Sequence, residues 1–254
     1  MPALTTEWPR GTFALTLMKP APGMTAPLMD LTPELVALCE RKIDEPGPDP
    51  RWLQDDELKV FSQGVLARRP KGPVWIFAYG SLIWKPTFAS VRRKRGIAKG
   101  WHRSFCLELD RWRGTPEQRG LMMALDHGGS CAGLLYELPE EGIDQTVFGL
   151  IWREISFRHD LGTVRWLMVE SEDGPVRALA FWAGPKGQRI VRKLPPERVA
   201  ASIARACGHV GSNAAYLHNT VLHLAEAGIY DRNLWHLQKL VAQEIRSLHG
   251  LNET

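Results

Sequence analysis

Residues 74–84 read VWIFAYGSLIW. A short apolar run rich in aromatic and branched side chains reads as a β-strand. It halts at Tyr79-Gly80-Ser81 and resumes at once. Two readings fit the interruption: a plain turn, or a strand end whose exposed backbone holds a ligand.

Five further stretches of similar character follow: GWHRSFCLELD (100–110), GLMMALDHG (120–128), CAGLLYELP (131–139), VRWLMVES (164–171) and VRALAFWAG (176–184). Gly96, Gly100, Gly128-Gly129 and Asp173-Gly174 punctuate them. With the opening stretch they predict about six strands in a closed or nearly closed, mostly antiparallel sheet. Between the fourth and fifth, Val147, Leu150, Ile151 and Ile155 recur at helical spacing and predict an inserted helix within 140–160. Three more helices are expected after Pro195-Pro196. The first ends near Gly208, the second runs from a Ser212 or Asn213 cap to Gly228, and the third stops at Gly250. The fold class is therefore mixed α/β (α+β), a barrel-like sheet with flanking helices.

Ahead of this unit, residues 1–31 are rich in Pro, Thr and Met and predict an irregular or partly disordered lead. Thr32-Pro33 reads as a cap with Pro at the first helical position, opening a helix over LTPELVALCERKI (31–43). A second helix is expected over about 55–68, followed by a linker, RRPKGP (68–73). The chain divides on this reading into an extension, 1–72, with two short helices, and a main domain, 73–254.

The 254 residues carry a formal charge of +4, with 44% hydrophobic and 24% charged side chains, an ordinary globular balance. Arg92-Arg93-Lys94-Arg95 lacks interleaved aromatics and reads as a solvated loop, so nucleic acid is not an expected partner. No run approaches the roughly 20 apolar residues of a membrane span. The N-terminus lacks the basic start and apolar core of a secretory signal. Four widely spaced cysteines form no CxxC pair and read as small buried hydrophobes. The default location is a reducing cytoplasm.

No GxGxxG, GxxxxGK[ST], GxSxG or HExxH is present, so no cofactor and no metal is expected. Ser81 would need a base within hydrogen-bond reach to act as nucleophile, and no local spacing supplies one. Glu154 stands out. It follows Leu150 by four residues and Ile151 by three, so it shares their apolar stripe. A carboxylate there is costly unless partnered or functional. It reads either as a functional acid or as a solvated glutamate beside Arg153.

Five ordered motifs resemble the ChaC-type γ-glutamylcyclotransferase family. They are YGSLIW (79–84), RGTPEQRGLMMAL (113–125), CAGLLYELP (131–139), LIWREIS (150–156) and GHVGSNAAYL (208–217). The resemblance spans about 74–248. It departs at HDLGTVRW (159–166), where bacterial relatives carry a Tyr before the retained Trp166. It implies cleavage of a γ-glutamyl peptide, glutathione first, to 5-oxoproline and Cys-Gly. The implied base is Glu154; Tyr79, Gly80, Ser81, Leu82 and Tyr216 would bind substrate. Arg113 and Arg119 would meet its glycine carboxylate or merely face solvent. Two other readings remain: turnover of another γ-glutamyl amine or amide, and a non-catalytic regulatory module linked to cation transport.

Overall fold

In the computed structural model, which describes residues 28–185 and 189–251, the opening stretch forms strand β1 (Trp75–Ala78) and a single-turn helix α3 (Ser81–Trp84). The predicted irregular lead falls almost wholly in 1–27, outside the described residues. Two helices precede β1: α1 (Pro33–Ala37) and α2 (Asp55–Ala67). Then come β2 (Arg92–Leu109), β3 (Gly120–Glu137), α4 (Ile143–Glu154), β4 (Val164–Ser171) and β5 (Gly174–Phe181). Helices α5 (Pro196–Arg205), α6 (Asn213–Glu226) and α7 (Arg232–Leu248) complete the chain.

The sheet is a closed barrel in the order β1-β3-β2-β4-β5. Neighbours pair antiparallel except at the seam, where β1 meets β5 in parallel at Ile76 and Leu179. The barrel has five strands, not six. GLMMALDHG and CAGLLYELP belong to one 18-residue strand, β3. The Gly128-Gly129 pair does not turn the chain. Both glycines take positive φ (109° and 72°) and absorb an irregularity in the β2–β3 register near Lys99 and Trp101.

Two other expectations change. Residues 92–95 lie on β2 rather than in a loop. Arg92 pairs with Glu137 at 2.5 Å and Lys94 with Asp173 at 2.9 Å, and both cations stack on Trp75. Helix α1 stops at Ala37, well short of residue 43. Tertiary partners claim the residues that would have continued it: the Cys39 thiol meets the Ala204 carbonyl at 3.2 Å, and Glu40 accepts from Ser212.

Strand β1 is buried on both faces, as its continuous apolar sequence demands. Trp75 and Phe77 face the barrel interior with Ala98, Leu135, Val169 and Ala180, so all five strands contribute. Ile76 and Ala78 face outward into a second core that includes Val147 and Ile151 of α4 and Leu217 and Val221 of α6. Leu35, Leu58 and Val65 of the N-terminal helices join this core. Ser212 caps α6 by accepting from the Ala215 N–H at 3.0 Å. The buried Asn213 amide then clasps β3, accepting from Leu121 N at 2.7 Å and donating to Leu121 O at 2.9 Å. The N-terminus of α6 is thereby fixed against the barrel.

Candidate active site

β1 leaves the barrel at Ala78, and the residues that follow deliver Tyr79 and Ser81 to a cavity of about 620 Å³, while Gly80 between them is buried and is not part of the lining. Gly80 is the cap of α3, whose first N–H groups have no intrahelical partner. Tyr79 and Ser81 line the cavity; Leu82 does not, its side chain packing into the outer core. An added Cβ on Gly80 would lie 2.9 Å from Met123 Cε and 3.3 Å from the Tyr216 hydroxyl. The glycine lets the cavity wall approach the backbone.

Glu154 ends α4 and lines the same cavity, with Tyr216 contributed by the first turn of α6. Leu150 and Ile151 on its stripe are buried, while the Glu154 side chain retains 24% of its exposure. Burial, and after it the neighbouring Glu154 carboxylate, push the phenols of both Tyr79 and Tyr216 above the usual tyrosine range. Both hydroxyls therefore stay protonated and can donate at neutral pH. Tyr216 is held edge-on by Trp84 and Phe105, and the Arg113 guanidinium lies 5.5 Å from its ring centroid.

Arg153 ties the parts together. Its Nε lies 3.2 Å from Glu154 Oε1. Its Nη2 donates to Ser81 Oγ at 3.0 Å and its Nη1 to the Lys85 carbonyl at 2.6 Å. Helical periodicity does not reveal this role, because adjacent residues point some 100° apart. A second unforeseen support is Arg103, whose side chain is 2% exposed. It donates to the Tyr79 carbonyl at 2.7 Å, to the Ala132 carbonyl, and to Asp231 Oδ2 at 2.9 Å.

Of the two arginines considered for a substrate carboxylate, Arg113 lines the cavity and donates to the Ser212 carbonyl at 2.7 Å. Arg119 is not part of the lining and pairs with Glu108 at 2.9 Å. Lys85 is a further cation in the wall, its pKa lowered by burial and by Arg153 and Arg113. Among the described residues, no group of three or more His, Cys, Asp or Glu side chains is placed to hold a metal ion. The four cysteines are free and buried. No helix among the described residues is long and apolar enough to cross a membrane.

The family described as ChaC-like protein matches residues 74–244. The glutathione-specific gamma-glutamylcyclotransferase of Escherichia coli (strain K12) is 36% identical over 184 residues, covering 72% of this chain and 79% of that protein. Glutathione-specific gamma-glutamylcyclotransferase 1 of Homo sapiens is 31% identical over 147 residues, 57% of this chain and 66% of that protein, just under two thirds of its length. The crystal structure of the selenomethionine-labelled, glutathione-specific cyclotransferase from yeast superposes with a TM-score of 0.62 at 21% identity. It covers 68% of this chain and 97% of that one, a likeness of fold.

Proposed function

Because the chain belongs to the ChaC-like protein family, we propose that it is a γ-glutamylcyclotransferase converting glutathione to 5-oxoproline and Cys-Gly. The observation that carries this reading is the meeting of a carboxylate, Glu154, with two protonated phenols, Tyr79 and Tyr216, in one cavity beside a helix start.

The chemistry needs no protein nucleophile. The substrate's α-ammonium gives a proton to Glu154, and the freed amine attacks the γ-carbonyl carbon of the same molecule. A C–N bond forms, and the carbonyl oxygen becomes an oxyanion. The attacking nitrogen is then cationic and still carries two protons. As the oxyanion collapses, the bond to the cysteinyl nitrogen breaks and Glu154 gives its proton to that nitrogen. The regenerated carboxylate then passes the ring nitrogen's second proton to the released amine, leaving a neutral lactam and an ammonium. No water is consumed. Holding the glutamyl chain folded supplies much of the rate, since effective molarities of oriented intramolecular reactions are large. General acid–base transfer adds roughly 10²–10⁴-fold.

The remaining site residues take binding roles. The N–H groups after Gly80, at Ser81 and Leu82, suit the substrate's α-carboxylate, with the Ser81 hydroxyl beside them. The phenols of Tyr79 and Tyr216 suit the γ-carbonyl oxygen and its oxyanion. On this reading residues 73–254 form the catalytic unit and 1–72 an extension, whose described part, from residue 28, packs on it. The free, buried cysteines support a reducing, cytoplasmic setting.

The test is to incubate purified protein with glutathione and measure 5-oxoproline and Cys-Gly. Both products are expected in equal amounts, and Glu154→Gln, which keeps size and shape, should lower kcat at least a hundredfold. Near-normal turnover by that variant would sink the mechanism. The departure at residues 159–166 favours one other reading, a different γ-glutamyl amine or amide as preferred substrate. A panel with 5-oxoproline as the common readout separates the two.

A further inference from the structure

The cavity has a wall from outside the family-matched region. Trp52 lies ahead of residue 74, where the match begins, yet it lines the cavity. Its backbone bridges antiparallel to Phe157, and Leu53 N donates to the Ser156 carbonyl at 2.9 Å. The pairing is clamped on both flanks. Trp152 Nε1 donates to Asp55 Oδ1 at 3.0 Å, and Glu57 pairs with Arg158. On the other side the Arg111 guanidinium stacks over the Trp52 ring at 4.9 Å and donates to the carbonyls of Pro46 and Gly47 at 2.9 and 2.8 Å. The indole is thus fixed in place beside the stretch that follows Glu154.

On the reading that the protein cleaves glutathione, we infer that Trp52 forms the subsite for the leaving peptide and makes the enzyme selective for a dipeptide over a simple amine. The γ-glutamyl half is accounted for by the helix start at Ser81, the two phenols and Glu154. A cavity of about 620 Å³ holds far more than a glutamyl group, and pockets of about 300–1,000 Å³ enclose most of a ligand of drug size. The remaining wall joins Trp52 to Phe157 and Arg189. Arg189 stacks on the Phe157 ring at 5.0 Å, and its Nη2 meets Asp110 Oδ2 at 3.2 Å. A Cys-Gly group matches this wall: thiol and peptide plane against aromatic faces, and a terminal carboxylate toward the guanidinium. A bare alkylamine offers none of the three.

The two products probe the two halves separately. Cys-Gly and 5-oxoproline are titrated calorimetrically into the wild-type protein, Trp52→Ala and Trp52→Phe, alongside assays of 5-oxoproline release from glutathione. In Trp52→Ala, affinity for Cys-Gly should fall about tenfold or more while that for 5-oxoproline stays within about twofold. KM for glutathione should rise with kcat little changed. Trp52→Phe keeps an aromatic face and the fold, and should recover most of the Cys-Gly affinity. If the wild-type protein releases 5-oxoproline but Trp52→Ala binds Cys-Gly as well as it does, the subsite is refuted and the activity stands. Equal losses for both products, or no Cys-Gly binding by the wild-type protein, also refute it. If glutathione yields no 5-oxoproline, the proposed function falls first and the subsite with it.

Discussion

Arg153 Nη2 donates to Ser81 Oγ at 3.0 Å, joining the last turn of α4 to the first residue of α3. The same guanidinium touches Glu154, so one planar fork sets the distance between the proposed base and the proposed carboxylate cradle. Lysine carries the charge but not the fork. Arg153→Lys should therefore lower kcat/KM for glutathione about tenfold or more, with the thermal midpoint falling by only a few degrees, because a hydrogen bond to a charged group is worth about 1.5–3 kcal/mol. Steady-state kinetics beside a melting curve check this; wild-type kinetics would remove Arg153 from the positioning role.

Gly80 makes a separable prediction. An alanine there would press its methyl on Met123 Cε, a flexible chain end, and on the Tyr216 hydroxyl. Gly80→Ala should cost about 1–3 kcal/mol of stability, leaving a folded protein, yet reduce turnover by a factor of ten or more. The pairing of a urea titration with a kinetic assay reads both quantities, and parallel losses would mean that the glycine serves only packing.

The Arg103–Asp231 pair should behave in the opposite way. Asp231 caps α7 by accepting from Asn233 N and Leu234 N, while Arg103 also holds the Tyr79 carbonyl. Arg103→Met strands the carboxylate and two carbonyls, a loss of roughly 3 kcal/mol. Adding Asp231→Asn keeps the cap and removes the unpaired charge, so the double variant should regain part of the loss. Chemical denaturation of both variants tests the coupling; additive losses would mean that the two residues do not interact.

Alkaline pH offers a further handle. The phenols of Tyr79 and Tyr216 ionise above the ordinary value of 10 in the folded protein. Below about pH 10 both folded and unfolded chains keep these protons. Above it, the unfolded chain releases them first, so stability is lost as pH rises toward the folded values. Each tyrosine contributes up to about 1.4 kcal/mol per pH unit. Urea midpoints at pH 9, 10 and 11 should fall more steeply for wild type than for Tyr79→Phe. An identical slope would contradict the burial assigned to this phenol.

Caps and periodicity exposed much of this architecture in the sequence, because they are local. Ser212 caps α6 and Pro196 opens α5 where the pattern places them, and Glu154 shares a stripe with Leu150 and Ile151. What was hidden depends on residues distant in the chain. Gly128-Gly129 has the composition of a turn, and only the partner strand makes it an irregularity within one long strand. Residues 92–95 look like a solvated run until Glu137 and Asp173 are set opposite them. In the site, Glu154 and the break at Gly80 were readable as chemistry out of place. Arg153, Arg103 and Trp52 were not, because each acts through a contact that no spacing encodes.

The barrel seam has a further consequence. Strand β1 must find β3 and β5, both far later in the chain, and Tyr79 hangs directly from its end. Glu154, between β3 and β5, and Tyr216, beyond β5, arrive from two other regions. Loops of this length close late in folding. During synthesis, therefore, no growing chain that stops short of residue 216 holds all three groups. On the proposed assignment the site is incomplete until residue 216 has been made, and activity then reports that the seam has closed.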